Sequence, residues 1–174
     1  MNKILIVDDD PTLVDFLKLL LESEGYDTRD ATDGEMALRE IATFQPEVVL
    51  LDYMMPNMDG LDVLKHVSKN FTASFVVMLT GKGSEEVAVE CTKAGAVDYV
   101  LKPFDNERLL SVIRAAFRYR DSELQKRQMI SEFDELRQIL TRASNIVEQV
   151  RQSAPADQMN ELNSLLIEAR KKLS

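Results

Sequence analysis

The stretch ILIVDDDP, residues 4–11, decides the fold. Ile4–Val7 is a short apolar run rich in β-branched residues, and it stops at Asp8, Asp9 and Asp10. Apolar residues in unbroken succession, bounded by polar ones, predict a strand buried on both faces. Asp10-Pro11 then predicts a helix start, with a carboxylate to cap the first free N–H groups and a proline at the first helical position. Leu13, Phe16, Leu17, Leu20 and Leu21 follow at helical spacing, and Gly25 predicts the helix end.

Outward from this unit the pattern repeats. Tyr26–Ala31 is a more polar strand and therefore belongs at a sheet edge, and Asp33–Phe44 is a second helix. Val48–Leu51 is another buried strand, ending in Asp52, with a helix over Asp59–Lys69. Phe75–Leu79 is a strand ending in Thr80-Gly81, followed by a helix over Ser84–Ala94 closed by Gly95. Val97–Leu101 is the fifth strand, ending in Lys102-Pro103, and a last helix starts near Asp105. Strands and helices that alternate, with continuous apolar strands, predict an α/β fold: a five-stranded, doubly wound parallel sheet with right-handed connections.

The chain has 174 residues, 45% hydrophobic and 29% charged, a globular composition. Its single cysteine, Cys91, excludes an internal disulfide and any multi-cysteine metal site, and its single histidine, His66, excludes His-rich metal clusters. The net charge of -9 argues against generic nucleic-acid binding. Residues 1–117 carry 21 Asp and Glu against 11 Lys and Arg, whereas residues 118–174 carry 9 against 10. This step in charge, together with the loss of glycine after Gly95, points to a second region. The expected division is a domain over 1–120 and an all-α extension over 121–174, with a long helix to about 152, a turn at 153–156 and a second helix over 157–173. Met129, Phe133, Leu136, Leu140, Ala143, Val147 and Val150 fit heptad spacing, as do Met159, Leu162, Leu166, Ala169 and Leu173. A coiled coil and a helical hairpin both remain open. No run reaches the ~18 apolar residues of a membrane span, and MNKILIVDDD lacks the features of a secretion signal. A cytoplasmic setting is expected.

In an open parallel sheet, ligands bind outside the carboxyl ends of the strands. Here those ends deliver Asp8, Asp9, Asp52, Thr80 and Lys102 to one edge. Three carboxylates at close quarters repel one another and demand a counterion. Oxygen ligands without His or Cys suit Mg²⁺. A carboxylate can also act as a nucleophile on phosphorus and form an acyl phosphate. Mg²⁺, the Lys102 ammonium, and the Thr80 hydroxyl with the N–H after it would each take a phosphoryl oxygen. The adjacent Asp8 and Asp9 suit metal holding. Asp52 stands alone at the end of the strand expected near the middle of the sheet, and it is the candidate nucleophile.

ILIVDDDP at 4–11, VVLLDYMMPNMDGLDVL at 48–64, VVMLTGKG at 76–83 and GAVDYVLKPF at 95–104 together resemble the receiver domain of two-component response regulators, of the flavodoxin-like, chemotaxis-receiver kind. The resemblance covers residues 1 to about 120. It implies that Asp52 is the phosphoacceptor for a sensor histidine kinase. It implies that Asp8 and Asp9 are the acidic pair, and that Asp52, one of that pair and the backbone carbonyl of Met54 ligate Mg²⁺. Thr80 and Tyr99 match the two residues that rearrange on phosphorylation. Lys102 matches the phosphate-binding lysine, in a cis Lys102-Pro103 peptide, and Gly81 lies where side-chain bulk would block the phosphoryl group. Met54 and Lys82 occupy the positions two residues past Asp52 and Thr80 that affect hydrolysis; a thioether and an ammonium position water poorly, so the acyl phosphate is expected to be long-lived. The chemistry is self-phosphorylation and self-hydrolysis, not enzymatic action on an outside substrate.

Asp10, Asp33, Asp59 and Asp105 read as helix caps without chemistry. His66 reads as a surface or half-buried residue, Cys91 as a small core residue, and the Met54-Met55 pair as loop packing. The extension has no helix-turn-helix signal or metal-ligand cluster, and homodimerisation is its expected role, with no nucleic acid and no membrane as partners. An alternative is a receiver and linker from a larger regulator. A haloacid-dehalogenase-type phosphohydrolase is disfavoured, because it needs an aspartate where Met54 stands.

Overall fold

The computed structural model describes residues 2–81 and 85–153, together with 164 and 167. Lys82, residues 154–156 of the expected turn at 153–156 and most of the expected second helix lie outside the described residues, while Ser153 is still helical. Ser164 and Ile167 are helical.

The elements alternate as the apolar pattern requires. They are β1 (Lys3–Val7), α1 (Pro11–Ser23), β2 (Asp27–Ala31), α2 (Gly34–Phe44), β3 (Val48–Asp52), α3 (Gly60–Asn70), β4 (Phe75–Thr80), α4 (Glu85–Ala94), β5 (Asp98–Leu101) and α5 (Asn106–Ser153). The strands form one parallel sheet in the order β2-β1-β3-β4-β5. The polar strand β2 is at an edge, and β3, buried along its whole length, is central.

Why the apolar runs of β1, β3 and β4 are unbroken follows from their two faces. Ile4, Ile6, Val48, Leu50, Val77 and Leu79 pack on one side, against Leu17 and Leu21 of α1 and Leu109 and Ile113 of α5. The alternate residues Leu5, Val7, Val49, Leu51, Val76 and Met78 pack on the other, against Ile41 of α2, Leu64 of α3 and Cys91 of α4. A strand side chain switches faces at every residue, so a sheet covered on both sides needs apolar residues at every position. Each large side chain so buried contributes about 1.5–3 kcal/mol.

The four aspartates read as caps do cap. Asp10 accepts from the Thr12 N–H at 2.9 Å, Asp33 from Met36 at 2.7 Å, Asp59 from Asp62 at 2.9 Å and Asp105 from Arg108 at 2.7 Å. Gly25 and Gly95 close α1 and α4 with positive φ of 85° and 104°. Cys91 is buried and His66 is exposed.

The chain divides into two units, Met1–Gln125 and Lys126–Ser174. Helix α5 has 48 residues without a break. Its first three turns bury Leu109, Leu110, Val112, Ile113, Ala116 and Phe117. From Lys126 to Gln152 every side chain is exposed.

Candidate functional site

Parallel register brings the strand ends to one edge. Val7 pairs with Leu51, Asp52 with Leu79, and Thr80 with Leu101, so the residues that end β1, β3, β4 and β5 emerge side by side. Asp8, Asp52 and Thr80 are buried there at 1%, 5% and 2% exposure, and Asp9 is exposed. Ligand oxygens of Asp8, Asp9 and Asp52 all lie within 4.8 Å of one another.

Lys102 reaches into this cluster from the end of β5. Its Nζ donates to Asp8 Oδ2 at 2.5 Å and to Asp52 Oδ1 at 2.6 Å. The other oxygen of each carboxylate is held by backbone: the Asp10 N–H donates to Asp8 Oδ1 at 3.0 Å, and the Met54 N–H to Asp52 Oδ2 at 2.9 Å. Both buried carboxylates are therefore fixed in orientation. The Lys102 N–H also donates to the Thr80 carbonyl at 2.8 Å, and the Lys102-Pro103 peptide is cis.

Two buried carboxylates share one ammonium, and Asp9 adds a third at the rim. Burial pushes the Asp52 carboxyl above its ordinary value; the hydrogen bond and charge of Lys102 oppose this, and the charge of Asp8 adds to it. Burial alone would lower the Lys102 ammonium, but its hydrogen bonds to Asp52 and Asp8 outweigh that and leave it raised. The site keeps an excess of negative charge on hard oxygen donors. That donor set fits a hard divalent cation such as Mg²⁺, held by Asp8, Asp9 and Asp52 in competition with Lys102 for the same oxygens.

Tyr99 lies on β5 with its side chain exposed, and its N–H donates to Asp98 Oδ1 at 2.8 Å. Met54 is exposed, and the contact it makes with Asp52 is through its backbone N–H. At Gly81 an added Cβ meets no atom within 4 Å, so protein packing does not demand glycine there.

Two residues of the site were not singled out from sequence. Gly60 opens α3 directly against the phosphoacceptor candidate: a Cβ there would lie 2.0 Å from the Asp52 carbonyl oxygen and 3.0 Å from Tyr53 Cα. Its N–H donates to the Tyr53 carbonyl at 3.1 Å. Tyr53 is pinned from the other side too, its N–H donating to the Leu79 carbonyl at 2.8 Å, and its Oη donates to Glu90 Oε2 on α4 at 3.4 Å. In sequence Asp59-Gly60 reads only as a cap and a helix start; nothing local reveals which backbone the helix approaches. Asp9, Tyr53, Met54, Met55, Pro56 and Asp59 line a shallow pocket beside the cluster.

Comparison with known proteins bears on the family and the fold. Residues 4–114 match the response regulator receiver domain family. The chain is 40% identical over 122 residues to the DNA-binding response regulator MtrA of Mycolicibacterium smegmatis, covering 70% of this chain and 53% of MtrA. It is 34% identical over 170 residues to the nitrogen assimilation regulatory protein NtrX of Azorhizobium caulinodans, covering 95% of this chain and 36% of NtrX. The chain thus spans about half the length of the first relative and about a third of the second. A CheY-like response regulator receiver domain from Methanospirillum hungatei superposes with a TM-score of 0.68 at 32% identity, over 71% of this chain and 98% of that one. The five-stranded parallel sheet, the acidic cluster at its carboxyl edge and the match over residues 4–114 place this chain in the response regulator receiver family.

Proposed function

We propose that the chain is a phosphorylation-controlled switch in which Asp52 accepts a phosphoryl group from a sensor histidine kinase. The observation that carries this is the position of the Lys102 ammonium, 2.5 Å from Asp8 Oδ2 and 2.6 Å from Asp52 Oδ1. A carboxylate oxygen of Asp52 attacks the phosphorus of the donor phosphohistidine. The new P–O bond forms as the P–N bond breaks, and the imidazole leaves with the electron pair. Lys102 neutralises charge on the transferred group, and the Thr80 hydroxyl at the adjoining strand end takes another of its oxygens. Asp8 and Asp9, with Asp52 and the Met54 carbonyl, would hold Mg²⁺, which when bound would supply positive charge to the phosphoryl oxygens. Water later attacks the phosphorus, the bond to the Asp52 oxygen breaks, and inorganic phosphate leaves with Asp52 returned to its carboxylate; the chain acts on no outside substrate. Thr80 and Tyr99 carry the change of state to the β5 and α5 side of the domain, and the helical extension passes it to a second copy of the chain. The setting is the cytoplasm, where the kinase presents its phosphohistidine. None of the described helices is long and apolar enough to cross a membrane.

The test is incubation of the chain with acetyl phosphate and Mg²⁺, read by intact mass. The expected result is a gain of one phosphoryl group that is absent without Mg²⁺ and absent in Asp52→Asn. A full gain in Asp52→Asn would overturn the assignment.

A second reading, that the chain is the receiver and linker of a longer regulator, is favoured by the share of MtrA and NtrX that it spans. Under it, an output activity such as the DNA binding named for MtrA would reside outside these residues. Reading the coding frame beyond Ser174 tests it: an in-frame output region supports it, and a stop codon defeats it.

A further inference from the structure

From Met129 to Val150, apolar side chains recur on one continuous helix at alternating steps of four and three residues. Phe133, Leu140 and Val147 take the a positions of the heptad, and Leu136, Ala143 and Val150 the d positions. All are exposed, the five larger ones between 47% and 69%. So large an apolar stripe costs free energy in water unless something covers it.

The charges beside the stripe select the cover. In a parallel pair, a g residue of one helix lies against the next e residue of the other. Glu132 is at g and Arg137 is the following e, so parallel pairing sets a carboxylate against a guanidinium, twice by symmetry. Antiparallel pairing sets g against g and e against e. Over 126–153 Glu132 is the only charged g residue and no e residue is acidic, so no antiparallel register within this segment forms an opposite-charge pair. Ile139 and Ile146, also at g, fall in the parallel arrangement against Ser144 and the aliphatic stem of Arg151, and widen the apolar seam.

We infer that residues 129–150 bind a second copy of this chain in parallel and in register, with Glu132 of each copy facing Arg137 of the other. This rests on the reading of the extension as a self-association segment and adds its direction and register.

The test uses the full chain. Sedimentation gives the dissociation constant of the wild type, of Glu132→Arg, of Arg137→Glu and of the double reversal. Each single reversal is expected to weaken association on the order of tenfold, and the double reversal to restore it to within about twofold. A separate Ala143→Cys variant, mildly oxidised, is expected to give a covalent dimer, because in-register parallel helices place both copies of a d residue at the same level. The wild type, whose Cys91 is buried, is expected to give none. A wild-type dimer that resists both charge reversals and does not cross-link through position 143 overturns the parallel register while leaving self-association intact. A wild type that sediments as a monomer, its stripe covered by its own residues 157–173, overturns the self-association reading as well.

Discussion

Lys102 holds two buried carboxylates with one ammonium, and this imbalance sets the behaviour of the metal-free site. Because burial raises the Asp52 carboxyl, the folded chain binds its proton more tightly than the unfolded chain does. Stability therefore falls as pH rises from the ordinary carboxylate value through the raised folded value, and the loss persists at higher pH. Asp52→Asn removes that term while leaving the Asp8–Lys102 pair in place. Metal-free Asp52→Asn is expected to melt above the wild type at neutral pH and to lose that advantage below the ordinary carboxylate range; thermal melts across pH in chelator check this. Equal melting at neutral pH would mean that Lys102 already compensates both carboxylates. Beside the site, Met54 presents a flexible thioether that cannot orient water toward an acyl phosphate. Met54→Asn, which supplies an amide at that place, is expected to shorten the lifetime of the phosphorylated state, as followed by the decay of the phosphorylated mass. A mutant decaying much more slowly than wild type would contradict the role given to Met54.

Between elements, the tightest constraint is where α3 meets the end of β3. A Cβ at Gly60 would overlap the Asp52 carbonyl, and that neighbour is backbone, unable to rotate away. Gly60→Ala must shift either the helix start or Asp52 itself, at an expected cost of about 1–3 kcal/mol. Leu50→Ala, on the same strand with its side chain in the core, is expected to cost about 2–5 kcal/mol yet to leave the site's geometry unchanged. Phosphorylation by acetyl phosphate, measured beside urea denaturation, separates the two. Gly60→Ala should lose phosphorylation beyond what its stability explains, and Leu50→Ala should not. The contrast also marks what a sequence makes legible. β1 and β3 announce themselves because burial on two faces keeps Ile4–Val7 and Val48–Leu51 apolar without a break, and β2 announces its place at the edge because it is polar. The acidic residues of the site are legible for a related reason, since charges directly after a buried strand must surface at the sheet's carboxyl edge. Gly60 and the bond from Tyr53 to Glu90 are not legible, because each depends on how closely two elements approach, and no periodicity encodes that distance.

At the scale of the chain, α5 belongs to both units, and its composition changes along its length. Up to Phe117 its buried residues complete one face of the sheet, with Phe117 stacked on Tyr26 at 5.6 Å; beyond Lys126 it buries nothing. Among the described residues, the receiver's buried core therefore lies within its own unit. A chain ending at Gln125 retains every buried core side chain among the described residues, together with Arg120 and its ion pair to Glu47 at 3.5 Å. It is expected to melt close to the full chain and to take up one phosphoryl group in Mg²⁺ and acetyl phosphate, while sedimenting as a monomer at concentrations where the full chain is a dimer. The three readouts separate the two units. Loss of folding on truncation would make the extension part of the receiver's core, against the burial pattern of α5. A truncated chain that folds and still dimerises would move the association surface onto the receiver itself, where Phe16 and Leu19 on α1, Val89 on α4 and Leu101 on β5 are among the apolar side chains left exposed to meet a second copy.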